Sequence, residues 1–82
     1  MPTVLKLDGL RVTIYPNDHR PAHVHVIGPG REAVFILNCP DGPIDLRESY
    51  GFASPALRAI AASLNAAVGS LCRNWETIHG VD

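Results

Sequence analysis

The chain has 82 residues, 46% hydrophobic and 18% charged, which is enough for one core and too little for two. Seven Lys+Arg stand against eight Asp+Glu, a formal net charge of -1, so the concentrated basic excess of a phosphate-neutralising nucleic-acid binder is absent. Two cysteines outside any Cys-x-x-Cys pair exclude a disulfide scaffold, and no apolar run approaches the ~18 residues that cross a membrane.

A single soluble domain over residues 1–82 is therefore expected, with no membrane partner. Met1-Pro2-Thr3 lacks the charged-then-apolar layout of a signal peptide, so the expected compartment is cytoplasmic and Cys39 and Cys72 read as free thiols without a role. A domain of this size buries only about two-thirds of its unfolded surface, and a partner or a second copy would add to its stability.

Thr3 to Leu7 alternates, Asp8-Gly9 is a favoured two-residue hairpin turn, and Arg11 to Tyr15 resumes the alternation with Val12 and Ile14 on one face. Pro16 to Pro21 is a stiff polar loop, because its two prolines fix φ and push Tyr15 and Arg20 toward extended backbone. Ala22 to Ile27 is a strand with Val24 and Val26 on one face and His23 and His25 on the other. Gly28-Pro29-Gly30 turns the chain into Arg31 to Leu37, apolar on both faces and so read as a central, doubly covered strand. Cys39 to Pro43 breaks it. A third hairpin or a short extended piece through Ile44 and Leu46 comes next, or else Arg47 to Phe52 forms a short helical turn ending at Gly51.

Ser54-Pro55 marks a helix start, with Ser54 as N-cap and Pro55 at the first helical position. Leu57, Ile60, Leu64, Val68, Leu71, Trp75 and Ile78 then recur every three or four residues, the stripe of a helix lying on a sheet. Gly69-Ser70 predicts a bend or a split into two helices, and Gly80 ends the segment. The fold class is α+β: an antiparallel sheet of about four strands in two hairpins, followed by a C-terminal helical segment packed on one face.

The chemistry concentrates in Asp18-His19-Arg20-Pro21-Ala22-His23-Val24-His25. His23 and His25, two apart on a strand, project their imidazoles from one face, and the side chain that titrates nearest neutrality suits proton transfer, ligation or recognition. Three readings follow. In the first, the histidine face is a non-catalytic contact surface, with the rings paired to neighbours such as Glu32 or to backbone carbonyls. In the second, His23 and His25 are general acid and base in metal-independent phosphodiester cleavage, with Arg20 or Arg31 holding phosphate and Tyr15 adding a hydroxyl. In the third, they ligate a metal with His19 or Asp18 as the next ligand. Because two histidines alone fall short of the three or four ligands zinc needs, neither a metal nor any other cofactor is expected. His79 near the end of the last helix is accounted for by the helix dipole.

Tyr15 followed by Asn17-Asp18-His19, then Pro21-Ala22-His23-Val24-His25-Val26, Ala33-Val34-Phe35, Tyr50-Gly51-Phe52-Ala53-Ser54 and Trp75-Glu76, together with the opening Met1-Pro2-Thr3-Val4-Leu5, resemble the bacterial and archaeal domain-of-unknown-function family numbered 4160. The sequence departs from that pattern at Ala22, where the family commonly has a second proline, and in the longer stretch Cys39 to Pro43. The resemblance implies a small α+β domain, often encoded beside another small domain in pairs like those of toxins and antitoxins. It also implies a site at His19, His23 and His25 with Asp18 and Tyr15 close by. The expected function is thus a small regulatory component that binds a protein, the product of a neighbouring gene, or RNA; a ribonuclease is the first alternative and a metal-binding domain the second.

Overall fold

In the computed structural model, residues 3–80 are described; Met1-Pro2, part of the resemblance above, lies outside them. The Asp8-Gly9 turn has φ of 27° and 79°, the positive values that suit a hairpin's twist, and joins β1 (Thr3–Leu7) to β2 (Leu10–Thr13). After the 14–22 loop come β3 (His23–Gly28), β4 (Arg31–Ile36) and β5 (Asp45–Tyr50). All neighbours pair antiparallel in the order β1-β2-β3-β4-β5, a meander with β3 at its centre. The sheet thus has five strands against the four or so expected. The fifth resolves the choice left open for residues 47–52 in favour of a strand.

Residues directly opposite one another on paired strands share a face. Val12, Val26 and Ala33, with Val24 and Phe35 in the next row, define the apolar face, and all five are buried. The buried helix residues Ile60, Leu64, Leu71, Cys72 and Trp75 belong to the same core cluster, so the helices cover this face. Thr13, His25, Val34 and Glu48 form a row on the opposite face, where Thr13 and Val34 are buried as well and where Trp75 of the helical layer reaches His23. β4 is therefore an interior strand, as expected, but not doubly covered by helices: Val34 is buried between its cross-strand neighbours, and Ile36 stays half-exposed.

The helical segment splits into α1 (Ser54–Ala66) and α2 (Val68–His79), set at 74° to each other. The break falls at Ala67 (φ -112°, ψ 11°), two residues before the glycine that predicts it. Ala53, in extended conformation, is the N-cap in place of Ser54, which is the first helical residue and makes no capping bond; Pro55 sits in the first turn as expected. Leu57, Val68 and Ile78 flank the core and the other four stripe positions are buried, so one face serves both helices despite the bend. Among the described residues no single helix is long and apolar enough to cross a membrane.

Cys39 and Cys72 form a disulfide, which corrects their reading as free thiols. Their Cα atoms lie 5.8 Å apart across 33 positions of sequence, where the chain leaves β4 and meets the second turn of α2. Spacing in sequence carried no sign of this, because the pairing depends on the bend at Ala67 and on where α2 crosses the sheet.

Candidate functional site

The site lies at the start of β3, on the sheet face opposite the core, where the 14–22 loop folds back over the strand. Asp18 anchors that loop. Its backbone N–H donates to the Tyr15 carbonyl at 3.0 Å, and its carboxylate accepts the Tyr15 N–H at 3.1 Å. This reciprocal turn holds the carboxylate against both strand histidines: Oδ2 is 3.4 Å from His23 Nε2 and 3.2 Å from His25 Nε2.

The other ring nitrogens face outward from this centre. His23 Nδ1 donates to the Pro21 carbonyl at 2.8 Å, and His25 Nδ1 donates to Glu32 Oε2 at 3.2 Å. Glu32 Oε1 in turn accepts from the Tyr50 hydroxyl at 3.3 Å. The register explains why: Ile27, Glu32 and Tyr50 form one row, a pleat away from the row holding His25. A continuous polar chain runs Asp18, His25, Glu32, Tyr50 across three elements and the loop.

Apolar rings close the flanks. Tyr15 meets His25 edge-on at 4.7 Å between centroids, His23 and His25 lie 5.2 Å apart, and Trp75 from α2 packs on His23 at 5.4 Å. His79 stacks on Trp75 at 3.9 Å, and neither of its ring nitrogens has a hydrogen-bond partner among the described residues. Its place in the last turn of α2 agrees with the dipole reading, and the stacking adds a packing role. Side-chain exposure falls to 8% for His23, 17% for His25 and 15% for Asp18, so the centre is largely shielded from water.

Of the residues singled out by sequence, Tyr15, Asp18, His23 and His25 are brought together. His19 and Arg20 are exposed on the same loop, and His19 is not among the converging groups. Arg31 is not brought in: it pairs with Gly28 at the far end of β3, with its guanidinium over the Phe52 ring at 5.2 Å. Glu32 was expected only as a neighbour, and Tyr50 was missed. Their signal was the strand register, which sequence alternation does not give across an irregular β5.

A small α+β domain, built as an antiparallel meander under two helices and carrying a shielded, carboxylate-linked histidine pair at the start of its central strand, is the class these features define. The chain matches the family described as Domain of unknown function (DUF4160) over residues 9–76 and belongs to it. No curated protein and no solved structure matches it.

Proposed function

We propose that this domain is a small regulatory component of toxin–antitoxin type that works by binding a protein partner, the product of a neighbouring gene, in the bacterial cytoplasm. The observation that carries the reading is the state of β5. All six of its residues are exposed, its outer edge is unpaired, and it bears both of the large exposed hydrophobic side chains, Leu46 at 47% and Tyr50 at 65%. Leu46, opposite the buried Phe35, stays open to solvent. An edge strand with an exposed aromatic is suited to receive an extended segment of another chain.

The charges beside it select protein over RNA. Glu32 and Glu48 line a recess of about 320 Å³ with Val34 and Tyr50, and Asp45 opens the same strand, an arrangement that repels phosphate and favours a basic or amide side chain. The contact surface therefore moves from the histidines of β3, which are largely buried, to the edge strand β5 beyond β4.

The ribonuclease alternative gains no support from the geometry. Every ring nitrogen of His23 and His25 already faces a protein acceptor, so neither reaches a ribose hydroxyl or leaving oxygen without breaking the Asp18 or outer contacts. Co-expression with the neighbouring gene product should give a complex that survives gel filtration. Leu46→Lys with Tyr50→Ala should weaken it at least ~30-fold, the scale of an interface hot spot. A chain recovered monomeric and partnerless, or a complex indifferent to both changes, defeats the reading.

A further inference from the structure

Reading the polar centre as a set of hydrogen bonds meets a difficulty. Pro21 offers His23 only a carbonyl, so His23 Nδ1 must carry the hydrogen; Glu32 places the same demand on His25 Nδ1. In each neutral ring the Nε2 lone pair then points at the Asp18 carboxylate, which is also an acceptor. Two lone pairs and an anion converge in a shielded space, and the arrangement is satisfied only when a cation lies among them.

A proton on each Nε2 would meet that need, and so would a metal ion. The contacts of 3.4 and 3.2 Å are longer than the ~2.7–2.9 Å of compact charge-assisted bonds and leave room for an ion between the three groups. With bonds of about 2.0–2.2 Å, atoms ligating a tetrahedral zinc stand ~3.3–3.6 Å apart, close to the 3.4 and 3.2 Å from Asp18 Oδ2 to the two rings. His23, His25 and Asp18 each offer one ligand atom, and these atoms all lie within 4.8 Å of one another.

The surroundings agree. Histidines that ligate metals almost always give their second N–H to a carbonyl or carboxylate, which fixes the tautomer and aims the ring, and here one has each. The Tyr15 N–H orients the carboxylate in the same way.

We propose that Asp18 Oδ2, His23 Nε2 and His25 Nε2 form a binding site for a single divalent transition-metal ion, zinc or a close first-row relative, with a solvent molecule completing the coordination. Two imidazoles and one carboxylate select against magnesium and calcium, which take oxygen ligands. The site departs from the expectation of no metal: of the two loop residues considered as the next ligand, Asp18 stands with His23 and His25 and His19 does not. It stands independently of the partner reading: metal would fix the 14–22 loop on β3 whether or not β5 binds a protein.

The test uses the full chain without a histidine tag. Titration with zinc against a chromogenic chelator should show one saturable equivalent per chain, and cobalt should give the intense visible absorption of a tetrahedral centre. Asp18→Asn, which retains a side-chain acceptor for the Tyr15 N–H, should weaken zinc at least ~100-fold and abolish the cobalt spectrum. Glu32→Gln, which only loosens the His25 ring, should weaken zinc ~10–100-fold. His19→Ala should change nothing, and circular dichroism checks that each variant is folded. Absence of stoichiometric binding by the parent chain overturns the site. So does zinc affinity that survives in both Asp18→Asn and Glu32→Gln, or that depends on His19.

Discussion

Gly51 shows how closely one residue is tied to the sheet's geometry. It sits at φ +80°, and a Cβ there would lie 2.5 Å from the Gly30 carbonyl oxygen and 2.9 Å from Arg31 Cγ. Left-handed backbone costs an ordinary L-residue roughly 1–2 kcal/mol before the clash with backbone is added. Gly51→Ala should therefore lower stability by about 2 kcal/mol or more in a urea melt, and an unchanged midpoint would show that the β5–α1 junction relaxes freely. Asp18 is the other residue whose role depends on position, because a loop carboxylate that the sequence offers as one of two candidate ligands becomes the meeting point of two strand histidines.

Among the elements, α1 enters the core through Ile60 and Leu64. Leu64 is fully buried, and its neighbour Asn65 accepts the Ile44 N–H at 2.8 Å, which ties the helix to the segment entering β5. Leu64→Ala should cost about 2–5 kcal/mol, enough to unfold much of so small a domain at moderate temperature. A thermal midpoint no lower than the parent's would mean that the helix does not pack through this face. β5 is the opposite case. With every residue exposed it contributes little burial, and the register slips between Val34 and Phe35 so that Arg47 is left without a partner in the ladder. Such a bulge and the charges beside it discourage indiscriminate edge pairing, so that binding there depends on a complementary partner.

At the scale of the molecule, the Cys39–Cys72 bridge joins the sheet's exit loop to α2, which also carries Trp75 one turn further on, against His23. Closing a loop of this length stabilises by ~3–4 kcal/mol in the chain-entropy account. Reduction, or Cys72→Ser, should accordingly lower the melting temperature by ~10 °C or more. Equal melting with and without reductant would show that core packing alone holds α2. The result also bears on the cytoplasmic setting: in a reducing compartment the pair is present as thiols, and the domain must then fold without the bridge.

What the sequence determined by itself is the part of this protein governed by local periodicity. The Asp8-Gly9 turn, the alternation in β2 to β4 and the three-and-four spacing from Leu57 to Ile78 each express a burial pattern imposed every second or every 3.6th residue, and they specified the sheet, the helical layer and the shared face of His23 and His25. Tertiary structure decided what such patterns do not encode. β5 is solvated on both faces and carries a bulge, so it has no hydrophobic period to read; the break at Ala67 follows how the chain crosses the sheet, not the nearest glycine. The disulfide, the arrival of Trp75 at His23, the Glu32–Tyr50 extension and the convergence of Asp18 on two imidazoles all join residues distant along the chain. Their distances are set by strand register and loop closure, which exist only once the whole sheet has formed.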